Sequence, residues 1–216
     1  RSDARQFFIA GIEAAEPTKV VNDALKNREL ATETKGRIFL VAFGKAACPM
    51  VKEALRHVPK DSLYAAIAVT NFENNSKIKG CDILVTGHPV PDKNGIVAAK
   101  KIIALLKKAN ENDLVLVLIS GGGSALLPSP PKEMSLSDKV TLNNLLLRSG
   151  FDINHCNMVR QQFSLLKGGG FARLAAPARV LALILSDVPG DDLRVVASGP
   201  TAPAIATPRE VKKILK

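Results

Sequence analysis

Short apolar runs alternate along this chain with segments in which apolar residues recur every three or four positions. The runs predict five strands, at residues 37–43, 63–70, 82–86, 114–119 and 180–185. Because several runs are almost continuously apolar, these strands are expected to be buried on both faces, which is typical of a parallel sheet.

The segments between the runs carry helical signals. They predict helices at about 46–57, after Asp92, from Ser135 to Gly150, at about 157–167 and after Thr207. Ser135 with Asp138, and Thr207 with Glu210, form capping-box patterns. The helix after Asp92 has the predicted apolar face Ile96, Ala99, Ile103 and Leu106. The helix after Ser135 has the predicted face Val140, Leu142, Leu145 and Leu146.

The alternation of strand and helix predicts an α/β fold in which helices cover both faces of a mostly parallel sheet. No internal repeat or low-complexity linker interrupts residues 1–216, which are therefore expected to form one domain. The last predicted helix reaches Lys216 after barely two turns, so the chain looks cut at this point.

Composition narrows the possible partners. The formal net charge is +10, but the basic residues form no dense run, aromatic residues make up only 4%, and there is no Trp. Binding of single-stranded nucleic acid by base stacking is therefore not expected. A basic surface that serves small anionic substrates and an ordinary solvated surface both remain open.

The apolar runs and the cysteines indicate where the protein is located. No run approaches the roughly 20 apolar residues that a membrane helix needs. Cys48, Cys81 and Cys156 form no close pair, which predicts free thiols in a reducing compartment. We expect a cytoplasmic protein without membrane or nucleic-acid partners, with a mitochondrial location not excluded and oligomer formation possible.

Unusual polar loops follow four of the five predicted strands. They contain Lys45, His88, the stretch 120–124 (Ser-Gly-Gly-Gly-Ser), and Asp187 with Asp191. In open α/β sheets, ligands bind beyond the carboxyl ends of the strands. The sequence therefore predicts a ligand site at this edge.

The glycine stretch at 120–124 matches no common nucleotide motif. Leu126 occupies the position of the third glycine of a dinucleotide fingerprint, and Phe39 and Ala46 break the Walker A pattern around Lys45. Its backbone amides and two hydroxyls would suit phosphate oxygens. A plain structural turn is the alternative.

Further candidates surround this stretch. Asn157, Arg160, Ser164 and Lys167 are spaced so that one helix would carry them on a polar stripe suited to phosphate, or on a solvated face. Asp187 and Asp191 could hold Mg²⁺ together with phosphate oxygens, or could simply favour a turn. Lys45 lies between small residues at the start of a helix, and His88 could belong to a rigid turn.

Taken together, these motifs resemble the glycerate 2-kinase family, whose members have also been named hydroxypyruvate reductases. The resemblance spans nearly the whole chain, in order, and rests on Gly-Lys-Ala at 44–46, Gly-His-Pro-Val-Pro-Asp at 87–92, the 120–126 stretch, Asn157 to Gly169, Ser-Asp-Val at 186–188 with Gly-Asp at 190–191, and Ala-Ser-Gly-Pro-Thr at 197–201. It implies a three-layer Rossmann-like domain, with the family's second, C-terminal domain absent from this chain. It also implies Mg²⁺-assisted transfer of the γ-phosphoryl group of ATP to D-glycerate.

The resemblance also implies residue roles. The family's active-site lysine falls on Lys45, and His88 would contact substrate or support the site. Asp187 and Asp191 would bind metal. The nucleotide or phosphate positions fall on Ser120, Gly121, Gly122, Gly123, Ser124, Asn157, Arg160 and Lys167. Residues 201–204 depart from the family pattern. A reductase, or a non-catalytic module that binds anions or nucleotides, remains the alternative.

Overall fold

The computed structural model describes residues 2–30 and 32–215. Within them, the strands are β1 (Ile38–Phe43), β2 (Leu63–Thr70), β3 (Asp82–Val85), β4 (Leu114–Ile119) and β5 (Arg179–Ile184). The helices are α1 (Ser2–Ala14), α2 (Pro17–Leu25), α3 (Ala47–His57), α4 (Lys93–Leu106), α5 (Gly123–Leu126), α6 (Leu136–Arg148), α7 (Ile153–Gln162), α8 (Gly170–Ala175) and α9 (Pro208–Ile214).

The five strands form one sheet in the order β3-β2-β1-β4-β5. Each neighbouring pair is parallel, so the predicted mostly parallel sheet is confirmed. This order is that of a doubly wound sheet. All five carboxyl ends therefore lie along one edge.

Two hydrophobic cores lie on opposite faces of the sheet. Along β1, Phe39, Val41 and Phe43 pack in the core that contains α4 and α8. The intervening residues of the same strand pack in the core that contains α2 and α3. This alternation follows from the two-residue period of a strand, and it confirms an α/β architecture with helices on both faces.

The predicted helix caps form. The Asp92 carboxylate accepts a hydrogen bond from the backbone at the start of α4. Ser135 with Asp138 forms the capping box of α6, and Thr207 with Glu210 forms that of α9. These caps explain why short polar signals located three helix starts correctly.

The predicted apolar faces of α4 and α6 need correction. In α4, Ile96 and Ile103 are only partly buried. The buried face of the helix instead contains Ala98, Ile102 and Leu105, together with the predicted Ala99 and Leu106. In α6, Leu145 is 61% exposed, whereas Lys139 is only 6% exposed. This helix packs against a small third cluster with α7 and α9, which covers a narrow stripe of α6 around Leu146.

The predicted helix at 157–167 is wrong in its bounds. Asp152 caps the helix by accepting a hydrogen bond from the amide of His155, so α7 begins at Ile153. It ends at Gln162, after which the Leu165 amide donates to the carbonyl of Ser129. Lys167 therefore lies beyond α7, and no continuous stripe exists.

The cysteines Cys48, Cys81 and Cys156 are free, as predicted. Among the described residues, no helix has the length and apolar character to cross a membrane.

The central strand β4 should dominate stability. Leu116 is fully buried there. Leu116→Ala would lose its transfer free energy and leave a cavity, so we expect the free energy of unfolding to fall by about 2–5 kcal/mol in urea titrations. Leu147→Ala is the control, since Leu147 is 66% exposed and its removal should change stability by about 0.5 kcal/mol or less. A loss below about 1 kcal/mol at Leu116 would contradict the assigned core.

Candidate functional site

The candidate site lies beyond the carboxyl ends of β1 and β4. The chain after β1 enters α3 on one face of the sheet. After β4 it enters α5, and Leu126 and Leu127 pack on the opposite face. This divergence makes the β1–β4 boundary the topological switch point, where open α/β sheets bind ligands.

The loops after β1 and β4 are fastened to each other. The amide of Lys45 donates a 2.9 Å hydrogen bond to the carbonyl of Gly121. The amide of Ala46 donates to the Ser120 hydroxyl over 3.0 Å. Gly44 allows this approach: its φ is +128°, and a Cβ on it would lie 2.2 Å from Ser120 Oγ. We call this contact the β1–β4 clasp.

Three candidate side chains lie close to Gly121 and Gly122. A Cβ on Gly121 would lie 2.1 Å from Oδ2 of Asp187. A Cβ on Gly122, whose φ is +86°, would lie 3.0 Å from Nε2 of His88 and 3.2 Å from Cγ of Lys45. The structure therefore brings together Lys45, His88 and Asp187, which sequence reasoning had only placed at one edge.

The backbone amides of the glycine stretch are available to bind an anion. Among residues 2–30 and 32–215, no group accepts a hydrogen bond from the amides of Gly121, Gly122, Gly123 or Ser124. Unpaired amides at a glycine turn suit an anion.

The presence of Ser120 and Gly123 in the stretch can also be explained by their structural contacts. Ser120 is buried and its hydroxyl serves the β1–β4 clasp. A Cβ on Gly123 would lie 2.9 Å from Cδ2 of Phe43 and 3.1 Å from the Cβ of Ala197, so close packing requires a glycine there. Direct contact of these two residues with a ligand stays a prediction.

The two aspartates are placed differently. Asp187 is exposed and lies against Gly121, without an ion-pair partner among the described residues. Asp191 is also exposed and has a φ of +51°. No cluster of three or more His, Cys, Asp or Glu side chains suited to a metal occurs in the described part of the chain. A metal here would need oxygen ligands from elsewhere, such as a phosphate.

Ser124 connects the glycine stretch to a buried polar network. Lys167 donates from Nζ to the Ser124 carbonyl over 3.1 Å and also to its hydroxyl. The Ser124 hydroxyl lies 3.1 Å from that of Ser198, which donates to Oδ1 of Asn157 over 2.9 Å. The four residues thus form one chain of hydrogen bonds, and Asn157 contributes through Ser198.

Beside this network lies a cavity of about 160 Å³, here called the basic pocket. Its polar lining consists of Ser124, Lys139, Asn143, Arg160 and Lys167. Lys139 and Lys167 are 6% and 4% exposed, and Nε of Arg160 is buried without a hydrogen-bond partner.

Burial shifts the acidities of all three basic groups. Desolvation, reinforced by the charge of Arg160, lowers the pKa of Lys139 to about 8. Burial, with Lys139 and Arg160 nearby, lowers the pKa of Lys167 well below its ordinary value. Burial also lowers the pKa of Arg160. In residues 2–30 and 32–215, no carboxylate pairs with any of them.

Sequence reasoning assigned no role to Lys139 or Ser198. Lys139 precedes Leu142 and Leu146 by three and seven positions, a spacing that places a lysine on the buried face of α6 and could have marked it. Ser198 belongs to the Ala-Ser-Gly-Pro-Thr motif. Its φ of +62° is not a property that its residue type indicates.

Comparisons with known proteins find relatives that match nearly the whole of this chain. A curated glycerate 2-kinase from Pyrococcus horikoshii is 38% identical over 95% of this chain and 47% of its own length. A curated protein from Agrobacterium vitis, named putative hydroxypyruvate reductase, is 42% identical over 93% of this chain and 44% of its own length. The crystal structure of a glycerate kinase from Thermotoga maritima superposes with a TM-score of 0.89 at 39% identity, covering 98% of this chain and 50% of that one.

The chain thus spans about half the length of the curated relatives it matches. Residues 3–216 match the family described as "Domain of unknown function (DUF4147)". The chain therefore belongs to the DUF4147 family, within which it is similar to glycerate 2-kinases.

Proposed function

We propose that this chain forms the phosphoryl-transfer site of a glycerate 2-kinase, which moves the γ-phosphoryl group of ATP to the 2-hydroxyl of D-glycerate with Mg²⁺. The observation that carries this proposal is the meeting of Lys45, His88 and Asp187 on Gly121 and Gly122. The names of the relatives support the same reaction.

The arrangement suits a group whose negative charge is spread over several oxygens. Phosphoryl transfer is catalysed mainly by positioning and by electrostatic stabilisation. The amides of Gly121 and Gly122 would hold one side of the phosphoryl group. Lys45, which is exposed, would place its ammonium group against the developing charge.

Asp187 has the chemistry that Mg²⁺ requires. Its carboxylate is exposed, has no ion-pair partner among the described residues and lies against unpaired amides. Mg²⁺ is commonly held by one or two carboxylates together with phosphate oxygens. Asp187, with Asp191, would hold the ion, which would neutralise charge on the phosphate oxygens.

A reductase is less well supported. Nicotinamide dinucleotides are usually bound where a glycine-rich turn opens a helix long enough to orient its amides at the pyrophosphate. Here the glycine stretch opens α5, which is only four residues long.

The reaction can be tested in the complete gene product that contains this chain. With ATP, Mg²⁺ and D-glycerate, we expect the product to be consumed directly by enolase, which accepts the 2-phosphate and not the 3-phosphate. The parallel assay follows NADH oxidation with hydroxypyruvate. Enolase-inactive product, or turnover in the NADH assay alone, would refute the proposal.

Lys45→Met should abolish most turnover. Removal of one preorganised charge costs about 10²–10³ in kcat, or roughly 3–4 kcal/mol of barrier. The melting temperature should hardly change, since Lys45 is exposed. Lys45→Arg should rescue poorly, because the guanidinium fork differs in shape from an ammonium.

Lys52→Met is the matched control for Lys45, since Lys52 is an exposed lysine one turn into α3. It should keep normal kcat. Near-normal kcat in Lys45→Met would favour a non-catalytic anion-binding role for the chain.

Asp187→Asn should raise the Mg²⁺ concentration that gives half-maximal activity by at least about tenfold. Even indirect supports of a metal typically cost roughly 10–100-fold in affinity, and Asp187 is proposed to be a direct ligand. Asp192→Asn is the control within the same loop, because Asp192 is already paired with Arg194 at 2.7 Å. An equal Mg²⁺ requirement in wild type and Asp187→Asn would mean that the loop is only a turn.

A further inference from the structure

We propose that the basic pocket binds the carboxylate of the hydroxy-acid substrate, separately from the phosphoryl groups held at Gly121 and Gly122. This inference rests on the proposed kinase function and adds a second anion site to it. Lys139, which sequence reasoning did not identify, becomes a residue for substrate binding.

The first argument is that the buried basic groups of the pocket have no acidic partner among the described residues. Lys139 is 6% exposed, and its Nζ has only a long contact of 3.4 Å with the carbonyl of Phe163. Arg160 has a buried Nε without a partner. Buried basic groups are normally paired or neutralised, and here no carboxylate of residues 2–30 or 32–215 does so. An anionic ligand would supply the negative charge that these basic groups lack.

The second argument is size. The cavity measures about 160 Å³, below the roughly 300–1,000 Å³ of sites for drug-sized ligands. Such a volume suits a three-carbon acid better than a complete nucleotide. Pro89, Pro91 and Leu142 provide rigid apolar walls for its carbon atoms, and Asn143 offers an amide for a hydroxyl.

The third argument is position. Ser124, which lines the pocket, follows Gly122 by two residues, and Pro89 directly follows His88. The pocket therefore shares two loops with the proposed phosphoryl site, and α6 and α7 supply the rest of its lining. A small acid whose carboxylate is held by Lys139 and Arg160 would have its neighbouring hydroxyl on the side of His88 and Gly122.

Lys167, the third basic residue of the pocket, has a different role. Lys167 already donates to the carbonyl and hydroxyl of Ser124. It therefore fixes the wall between the two anion sites, while Lys139 and Arg160 remain for the ligand. Lys139 and Arg160 are thus the residues to test.

The test measures binding of D-glycerate, MgATP and inorganic phosphate by calorimetry in the complete gene product, without turnover. Lys139→Met and Arg160→Met should each weaken D-glycerate binding by about 10–100-fold, the usual range for loss of a charged hydrogen bond. MgATP binding should change by less than about threefold. Arg148→Met is the matched control on α6, because Arg148 is exposed, and it should leave both affinities unchanged.

A neutral analogue separates charge recognition from packing. Wild type should prefer D-glycerate over glycerol, and this preference should collapse in Lys139→Met. Lys139→Gln, which keeps a polar side chain of similar length, provides a second variant should Met perturb the fold. It should show the same loss of preference.

The pH dependence supplies an independent readout. Lys139 faces Arg160 on α7 and Lys167 on the following turn, and its pKa of about 8 means that it loses its charge as the pH rises through that value. D-Glycerate affinity in wild type should therefore fall above about pH 8. That fall should be smaller in Lys139→Met, where Lys167 is the remaining lysine.

The outcomes separate the two proposals. Unchanged D-glycerate affinity in both Lys139→Met and Arg160→Met overturns the pocket assignment, even if the enzyme phosphorylates glycerate. Weakened MgATP or phosphate binding with unchanged D-glycerate binding also overturns it and marks a phosphate subsite. Loss of D-glycerate binding in both variants supports the pocket, even if wild type gives no 2-phosphate and the kinase proposal fails.

Discussion

The β1–β4 clasp is the contact on which the candidate site depends. Two hydrogen bonds join the loops after β1 and β4, and Gly44 makes room for them because a Cβ there would collide with Ser120. Without this approach, Lys45 would not lie beside Gly122. The clasp therefore joins two loops that lead to opposite faces of the sheet into one continuous surface, the candidate site.

The sheet and the starts of four helices, α3, α4, α6 and α9, could be predicted from the sequence because their signals are local. Continuous apolar runs such as β4 reflect burial on both faces, and a serine or threonine before an acidic residue defines a helix cap. The edge that carries the site follows from topology alone, since parallel strands end together.

The pairing of side chains within the site could not be predicted in the same way. Lys167 reaches Ser124 because the chain leaves α7 at Gln162 and turns, under a long-range hydrogen bond from Leu165 to Ser129. Residue spacing along a helix cannot predict that contact, because Lys167 lies beyond the end of α7. The buried position of Lys139 likewise depends on α6 packing against α7 and not against the sheet.

The division of the core into two faces has a consequence for how this sequence can change over evolutionary time. Substitutions in α3 and α4 lie in separate cores on opposite sides of the sheet, so we expect their effects on stability to be nearly additive. Position 44 has no such freedom, because a Cβ there would collide with the backbone of Ser120 as well as with its hydroxyl, and because its φ is +128°. Substitutions should therefore accumulate readily within each layer and rarely at position 44, where no change at position 120 would make room for a side chain.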